Sequence, residues 1–477
     1  MASSADISVE GQRILSTLNE DGTRRWIKPR PSRGWFLGAR RGVAWFLILL
    51  FTVAPYLRSG DKPMFLLDIA TRHFTLFGWT FLPTDTLPLA LFMIAVFVGI
   101  FLMTALLGRV WCGWACPQTV YLEFVYRPIE RLLEGAPGRK SGGLLRGSPA
   151  AKPVKFLAYL IVSMLLAHTF LAWFVGVDRL LLWVRGSPLD HPVVFMVMAA
   201  TTGLMLFDFG YFREYTCIVA CPYGRLQSVL LDQNSLIITY DRKRGEPRGK
   251  KSADAEVGDC VDCEMCVTTC PTGIDIRNGL QMECIGCAQC IDACDAVMTK
   301  LKRPRGLIRY SSQAAVEGAS RRLLRPRVII YPMILIAVLS GFFLALRSRE
   351  PADVTVLRGL GRPFTEMTAG EISNPVRIKI VNRTEHPVTY LVSAVEPGIR
   401  IISETDPILI AGGKSATIAA SIIAPGSAFD SGSKDMTLRI SDGKAFTQDR
   451  KYKLLGPGTV RRESGEGAKP EHEERPR

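Results

Sequence analysis

No cysteine lies outside four tight clusters. The twelve cysteines of the 477-residue chain fall within 112–116, 217–221, 260–270 and 284–294. Cysteines that form disulfides are usually scattered, one to each element that they join, so this distribution disfavours a disulfide framework. Tight runs at metal-ligand spacing instead favour bound metal and a reducing compartment.

Other features are absent as well. The chain has no G-x-G-x-x-G followed by an acidic residue, so nothing in it indicates a bound nicotinamide or flavin. About forty mostly polar residues precede the first apolar run, and we therefore expect no cleavable signal peptide. The cysteine-rich region offers no obvious substrate pocket, nucleophile or acid–base pair, which argues for electron transfer rather than hydrolytic chemistry.

Apolar residues are abundant. Hydrophobic residues make up 48% of the chain and the mean hydropathy is +0.17, as expected for a membrane protein with soluble portions. A membrane-spanning helix needs about 20 apolar residues. Five runs are candidate spans, at roughly 42–57, 87–108, 156–177, 192–212 and 328–346.

Basic residues set the expected orientation. The net charge of +15 comes from Lys and Arg that crowd beside apolar runs, which favours a lipid surface over nucleic acid as the partner. These residues concentrate before the first span, in 109–155 and in 213–327, and are sparse in 58–86 and 178–191. The positive-inside rule therefore predicts three cytoplasmic segments and a periplasmic segment after 347. The stretch 64–82 is interpreted as interfacial or re-entrant, not as a sixth span.

The strongest signal is a doubled cysteine motif, C-x2-C-x2-C-x3-C, which is the two-cluster ferredoxin pattern. In that pattern the fourth cysteine of each run ligates the other cluster. We therefore predict one [4Fe–4S] cluster on Cys260, Cys263, Cys266 and Cys294, and a second on Cys284, Cys287, Cys290 and Cys270. The alternative is a pair of zinc sites, but zinc favours two C-x2-C pairs with a longer gap between them.

A second motif, C-x3-C-P, also occurs twice, each time at the end of an apolar run. Its cysteines are Cys112 and Cys116 in the first copy and Cys217 and Cys221 in the second. Residues four apart share a helix face, so the four thiols are expected to converge at one side of the membrane. Three uses remain open: a Cu(I) site, a third iron–sulfur cluster, or a dithiol/disulfide relay. The alternative without chemistry is a buried cysteine that packs as a small hydrophobe.

Some polar and aromatic residues near these motifs receive a weaker interpretation. His168 lies inside the third span, where an ionisable residue is a candidate ligand, although a lone histidine more often makes a helix–helix hydrogen bond. Asp208 is expected to be solvated near the cytoplasmic interface. Four aromatic residues flank the C-x3-C-P pairs and are expected to belong to an interfacial aromatic belt rather than to relay electrons: Trp111, Trp114, Tyr215 and Tyr223.

The C-terminal segment has a different residue pattern from the rest of the chain. "PVRIKIVNRTEHPVTYLV" alternates apolar and polar residues, and about seven short strands are expected over roughly 110 residues. This pattern predicts a β-sandwich without disulfides, of the kind that docks a partner. The polar tail from 458 is predicted to be disordered.

Taken in order, these motifs resemble the CcoG/FixG/RdxA family of membrane polyferredoxins over roughly residues 30–457. The resemblance lies in "LLDIATRHFTLFGWTFLPTD", "GRVWCGWACPQTVYLEFVYRPIERLLEG", "REYTCIVACPYGRLQSVLLD", "SLIITYDRKRGEPRG" and the eight-cysteine block. It implies an immunoglobulin-like C-terminal domain, two [4Fe–4S] clusters, and a role in reducing Cu(II) to Cu(I) for the cbb3-type cytochrome c oxidase. It also implies cluster ligation by the eight cysteines, and a copper or redox role for Cys112, Cys116, Cys217 and Cys221.

The expected fold is a multi-domain membrane protein: an α-helical bundle of about five spans, a cytoplasmic two-cluster ferredoxin-like α+β domain, and a C-terminal all-β immunoglobulin-like sandwich. The expected segments are a cytoplasmic basic tail 1–41, a four-span bundle 42–212, a cytoplasmic region 213–327 with the ferredoxin domain at about 250–305, a fifth helix 328–346, a periplasmic domain 348–457 and a disordered tail 458–477.

The functional hypothesis is a membrane-bound electron-transfer protein of the bacterial inner membrane that reduces copper for oxidase assembly. Its expected partners are membrane lipid, cbb3-type oxidase subunits or copper-handling proteins, and a cytoplasmic electron donor, but not nucleic acid. Two other hypotheses stay open: a quinone-linked electron conduit to a periplasmic redox partner without a metal substrate, and a scaffold whose clusters only sense redox state.

Overall fold

The computed structural model describes residues 16–457, with gaps at 20, 22, 60–61, 70–71, 78, 83–84, 138–141, 250–256, 320–324, 368–369, 385, 404, 430–431 and 445. The predicted disordered tail 458–477 and the first fifteen residues of the predicted basic tail lie outside this range. The chain divides into two compact units, Met1–Leu346 and Arg347–Arg477, which we call the membrane–ferredoxin unit and the C-terminal unit.

The helices of the membrane–ferredoxin unit alternate long apolar segments with short ones near the cysteines. In chain order, continuing to the unit's boundary, they are α1 (Trp35–Val53), α2 (Thr86–Leu107), α3 (Val110–Trp114), α4 (Pro117–Tyr121), α5 (Arg127–Glu134), α6 (Ala151–Val175), α7 (Val177–Arg185), α8 (Pro192–Phe207), α9 (Pro222–Leu230), α10 (Arg242–Gly245), α11 (Met265–Thr268), α12 (Gln289–Lys300), α13 (Gln313–Glu317) and α14 (Pro326–Arg347).

Among the described residues, five helices are long and apolar enough to cross a membrane: α1, α2, α6, α8 and α14, with α1 extended to Tyr56 and α8 to Phe212 by tighter or wider turns. This confirms the predicted membrane bundle. The first helix begins at Trp35 rather than at 42. The apolar run shows where hydrophobic side chains begin, not where the helix begins. The helix starts earlier because Asp292 accepts hydrogen bonds from the backbone N–H groups of Phe36 and Leu37 at 3.2 and 2.8 Å.

The strands of this unit are short. They are β1 (Arg58–Ser59), β2 (Lys62–Pro63), β3 (Phe65–Asp68), β4 (His73–Leu76), β5 (Trp79–Phe81), β6 (Ile237–Tyr240) and β7 (Ile308–Ser311). Strands β3, β4 and β5 form an antiparallel sheet in the stretch that the sequence marks as interfacial or re-entrant. Strands β6 and β7 pair antiparallel, so they close the cysteine-rich segment between them.

That segment forms an α+β core around its own cysteines. The buried residues of β6, β7 and α12, Cys290 among them, pack with the loop that carries Cys260, and Met298 and Leu307 are almost fully buried there. The small core thus surrounds the thiols with apolar side chains rather than with water, which is the environment that a buried metal cluster needs.

In its described part, the C-terminal unit contains nine strands: β8 (Ala352–Arg358), β9 (Thr365–Glu366), β10 (Glu371–Asn382), β11 (Val388–Ala394), β12 (Arg400–Ser403), β13 (Ile408–Ile410), β14 (Ser415–Pro425), β15 (Ser433–Ser441) and β16 (Thr447–Leu455). One sheet has the order β12-β14-β10-β8 with β9 beside β10, and the other the order β13-β11-β15-β16. Ile378 and Ile380 of the first sheet share a core with Leu438 and Ile440 of the second. The predicted sandwich is confirmed. Its extra strands include the two-residue β9, which is too short to leave a periodic pattern.

Candidate metal centres

The eight cysteines of the doubled motif surround two small cavities. One cavity is lined by Cys260, Cys263, Cys266 and Cys294, and we call it site I. The other is lined by Cys270, Cys284, Cys287 and Cys290, and we call it site II. Each site therefore takes three thiols from one run and the fourth from the other. Cys266 also reaches the wall of site II, so the two sites are direct neighbours.

The two loops that supply these thiols curl in the same way. Asp262 and Glu264 have φ of 52° and 53°, and the residues at the equivalent positions of the second loop, Gly286 and Ala288, have φ of 67° and 61°. Left-handed backbone at single residues turns a chain sharply, and outside glycine it is costly for residues such as Glu264 and Ala288. Such strain concentrates at functional sites. Here it bends each loop so that three cysteines face one cavity.

Burial controls the chemistry of these thiols. It raises the pKa of Cys284 to about 11 and the pKa values of Cys266, Cys287 and Cys294 to about 12. As free thiols, these four cysteines are therefore protonated at neutral pH. Binding of a metal cluster would have to displace those protons, as is general for thiolate sites.

The residues present fit iron–sulfur cubanes better than single ions. Over the described parts of the chain, no three His, Cys, Asp or Glu side chains converge closely enough to hold one metal ion. The zinc alternative would need four thiols in tetrahedral contact with a single ion. Four thiols spread around an apolar cavity match a cluster in which each binds a different iron.

The C-x3-C-P motifs do not follow the regular helix that the sequence argument assumed. Cys112 lies in α3, but Cys116 is extended, with φ −61° and ψ 126°, and stands between α3 and α4. Cys217 lies in a π-helical turn, and Cys221 is again extended, just before α9. The reason is the following proline, which disfavours helical backbone in the residue before it. The expectation of a shared helix face was wrong.

The four thiols are nevertheless neighbours. Burial, together with the nearby thiols of Cys116, Cys112 and Cys221, raises the pKa of Cys217 to about 12. Burial also raises the pKa of Cys112, an effect that Arg109 partly offsets. The Cys112 thiol donates to Oε1 of Gln227 at 3.0 Å. We call these four cysteines the thiol quartet.

The quartet abuts site II. Cys112 packs in one buried cluster with Ile285 and Cys287. A Cβ atom on Gly113 would lie 2.6 Å from the carbonyl oxygen of Ile285 and 2.8 Å from the backbone nitrogen of Cys287. Only glycine allows so close an approach of the two backbones. The first C-x3-C-P motif is therefore pressed directly against a loop of the ferredoxin core.

Two aromatic residues reinforce this contact. Trp114 Nε1 donates to the hydroxyl of Tyr310 at 3.2 Å, and that hydroxyl donates to the carbonyl of Gly286 at 2.6 Å. Tyr223 accepts a hydrogen bond of 2.7 Å from Gln227, the residue that also binds Cys112. Trp114 and Tyr223 thus support the cysteine sites, a role beyond the aromatic belt expected from the sequence.

A buried ion-pair network ties both motifs to the ferredoxin core. Arg127 pairs with Glu123 and, at 3.1 Å, with Glu214, and its Nη2 donates to the carbonyl of Pro271 at 3.2 Å. Arg213 pairs with Glu130 at 3.2 Å. Glu214 and Arg213 precede the second C-x3-C-P motif, while Pro271 follows Cys270. The network therefore fixes the position of the quartet relative to site II.

Other residues differ from expectation. The carboxylate of Asp208 accepts hydrogen bonds from Gln118, at 3.2 Å, and from Thr216, so it links the two C-x3-C-P segments rather than being simply solvated. His168 Nδ1 donates to the carbonyl of Met164 in its own helix at 2.7 Å. Sequence reasoning missed Arg40 and Arg109, whose only signal was a basic residue beside an apolar run.

The fold and its cysteines define a class: membrane-embedded iron–sulfur proteins of ferredoxin type with an immunoglobulin-like C-terminal domain. Family profiles described as "4Fe-4S dicluster domain", "4Fe-4S binding domain" and "IG-like fold at C-terminal of FixG, putative oxidoreductase" match residues 212–313, 89–139 and 342–457. Iron–sulfur electron transfer is thus the chemistry that the profiles of this chain support.

Among similar proteins, the chain is 35% identical to Protein RdxA of Cereibacter sphaeroides over 75% of this chain and 79% of the relative. It is 33% identical to the Nitrogen fixation protein FixG of Rhizobium meliloti, over 79% and 80% of the two chains, and 33% identical to Protein RdxB of Cereibacter sphaeroides, over 82% and 83%. The chain belongs to the FixG/RdxA family.

Proposed function

We propose that this protein is a membrane-bound cupric reductase that supplies Cu(I) for assembly of a cbb3-type cytochrome c oxidase. Site I and site II each hold one [4Fe–4S] cluster, ligated by Cys260, Cys263, Cys266 and Cys294 and by Cys270, Cys284, Cys287 and Cys290. When bound, such clusters supply transfer of one electron at a time. The protein's own residues bury the two sites, keep them adjacent, and place one of them against the quartet.

The contact between Cys112 and Cys287 carries this proposal. Electron transfer between protein sites needs short distances and little intervening solvent. The quartet and site II meet through buried backbone at Gly113, with Tyr310 and Trp114 beside them. An electron that reaches site II is therefore close to whatever the quartet holds.

Copper suits the quartet as a substrate. Each Cu(II) ion takes one electron and becomes Cu(I), and the thiols that bind it release their protons to solvent. Thiolates are soft ligands that favour Cu(I) over Cu(II), so binding to Cys112, Cys116, Cys217 and Cys221 would itself promote reduction. Two of the four thiolates suffice for a near-linear Cu(I) site.

The proposal includes a topology. In this topology the N-terminus and both iron–sulfur sites lie in the cytoplasm of a bacterium and the C-terminal unit in the periplasm, as the basic segments predict by the positive-inside rule. A cytoplasmic donor then supplies the electrons. In the proposal, the immunoglobulin-like domain docks oxidase subunits or copper-handling proteins.

Anaerobic protein with reduced iron–sulfur sites tests the proposal. Added Cu(II) should reoxidise these sites and appear as Cu(I), captured by a chromogenic chelator. The double variant Cys112→Ser and Cys217→Ser should lose copper binding but keep its iron–sulfur absorbance, which serves as the internal control. Reduced protein that Cu(II) leaves unchanged would overturn the proposal.

The quartet has a competing use as a third cluster site. The profile described as "4Fe-4S binding domain" matches residues 89–139, which include Cys112 and Cys116. Counting iron, sulfide and copper per chain separates the two uses. Two clusters give eight iron atoms and three give twelve. Loss of four iron atoms in the Cys112→Ser and Cys217→Ser variant would assign the quartet to iron.

A second candidate function, a quinone-linked conduit, is favoured by one cavity. A space of about 130 Å³ lies at the end of α2, beside Cys284, with mostly apolar walls that include Leu107, Leu231 and Leu236. The Nε of Arg109, which also lines it, is buried and lacks a hydrogen-bond partner among the described residues. A quinone ring would fit such a place. Reoxidation of the reduced sites by a short-chain quinone, but not by Cu(II), would favour this function over copper reduction.

A further inference from the structure

Arg40 is a buried cation with an incomplete set of partners. It lies in the second turn of α1 and is 0% exposed. Its Nε donates to the carbonyl of Gly113 at 2.8 Å, and its guanidinium carbon lies 5.5 Å from the centre of the Phe124 ring. Its Nη1 and Nη2 are buried, and neither has a hydrogen-bond partner in the described part of the chain. Asp292, on the facing helix α12, binds the backbone of α1 instead.

A guanidinium in this position needs an anion. Arginine keeps its proton at any physiological pH, so burial without a counter-charge is strongly unfavourable. The carbonyl that anchors Arg40 belongs to Gly113, whose Cα side lies against the backbone of Cys287. The positive charge of Arg40 also acts on the Cys287 thiol. An iron–sulfur cluster held by four thiolates is a net anion. A cluster bound at site II would therefore supply the counter-charge that Arg40 lacks.

Site I differs in its charges. Arg277 lines that cavity, but it is neutralised by two carboxylates: it pairs with Asp262 and, at 2.6 Å, with Asp275. Beside site II, Arg40 makes no ion pair with a carboxylate within the described part of the chain, although the charge of Asp292 acts on it from farther away. Arg109, 7% exposed, adds a second positive charge on the same side, where it donates to the carbonyl of Met282 and acts on Cys284. The cation beside site I is therefore ion-paired with two carboxylates, whereas the cations beside site II are more weakly compensated.

We propose that Arg40 raises the reduction potential of site II above that of site I, so that electrons run from site I through site II toward the quartet. This rests on the proposed ligation of one cluster at each site. Added negative charge is stabilised next to an unpaired cation and not next to one already paired with two carboxylates. One electron leaves site I and one arrives at site II, and no bond forms or breaks. Arg40 is a positioning charge, not a ligand.

Redox titration of the full-length protein, followed by paramagnetic resonance, tests this inference. The wild type should show two midpoint potentials, and a Cys263→Ser background should assign the higher one to site II. Arg40→Gln should lower that potential by about 59 mV or more, which is a tenfold change in the ratio of reduced to oxidised sites, and leave the other in place. Arg40→Lys, which keeps the charge, should restore most of the difference. Arg41→Gln, an exposed neighbour on α1, is the matched control and should shift neither.

A second variant tests the same effect of charge in case Arg40→Gln does not fold. Asp262→Asn together with Asp275→Asn leaves Arg40 untouched and frees Arg277 from its carboxylates, so it should raise the lower potential and narrow the gap. Unchanged potentials in Arg40→Gln with iron retained, or no narrowing in the aspartate variant, would overturn the inference. A different result would reject only the proposed reduction of copper: Cu(II) does not accept electrons, while the difference between the two midpoint potentials and its change in the variants are as expected.

Discussion

Gly113 lies against Cys287 so closely that no side chain fits between them. A methyl group at position 113 would come within 2.8 Å of both the backbone nitrogen and the Cα of Cys287. These neighbours are backbone atoms, which cannot swing aside as the end of a flexible side chain can. One short contact therefore joins a membrane-proximal cysteine motif to the ferredoxin core.

Gly113→Ala should push the first C-x3-C-P motif away from the ferredoxin core. We expect a destabilisation of about 1–3 kcal/mol, typical of overpacking, together with loss of part of the iron. Thermal unfolding in detergent and iron content per chain measure both effects. The matched control is Gly99→Ala in α2, where nothing lies within 4 Å of the new methyl group. That change should be neutral or slightly stabilising, because alanine favours a helix over glycine. Equal thermal stability and equal iron content in Gly113→Ala and Gly99→Ala would contradict the described contact.

Each site takes three cysteines from one run and the fourth from the other. This grouping predicts which pairs of cysteine substitutions lose more iron than either single substitution. Cys260 and Cys294 line the same cavity although they belong to different runs, whereas Cys270 lines the other cavity. Cys260→Ser with Cys294→Ser should therefore lose no more iron than either single variant, about four atoms. Cys270→Ser with Cys294→Ser should lose both clusters. Iron analysis and the resonance spectrum of the reduced protein measure this. Additive loss in the first pair would mean that each run holds its own cluster.

Much of the architecture is encoded locally and was predictable. An apolar run of membrane length, an alternating strand and a C-x2-C-x2-C-x3-C spacing each record a structure formed by near neighbours in the chain. The five membrane helices and the sandwich follow from such patterns. Even a local rule can mislead when another overrides it: four-residue spacing suggested one helix face, but the proline after Cys116 breaks the helix there.

The electrostatic part of the site was not predictable from the sequence. Arg40 stands at the start of an apolar run, where basic residues usually mark the cytoplasmic side of a membrane. Its burial comes from segments far along the chain, at Gly113 and in the loop that carries Cys287. Such long-range contacts leave no trace in the spacing of residues around position 40. The same holds for Arg127, whose partners include Glu214 and Pro271.

Arg127 provides a test of the buried network. Its side chain is 3% exposed and faces Glu123 and Glu214. Arg127→Met should destabilise the protein by about 3–5 kcal/mol, since removing one member of a buried ion-pair network leaves uncompensated charge behind. The melting temperature in detergent should fall accordingly. Arg225→Met, at an exposed position of α9, is the control and should change stability by about 0.5 kcal/mol or less. A wild-type melting temperature in Arg127→Met would show that the network contributes little.

The C-terminal unit should fold on its own, because its core is formed entirely by its own two sheets. An excised segment 347–457 should unfold in one cooperative transition with urea. Within it, Ile378 is 0% exposed between the sheets, and Ile378→Ala should cost about 2–5 kcal/mol from lost burial and the cavity left behind. Leu409 on β13 is 71% exposed, so Leu409→Ala should have little effect on stability. If the segment did not fold alone, or if the two substitutions cost the same, the sandwich would depend on the rest of the chain, and a docking role separate from the membrane bundle would lose its physical basis.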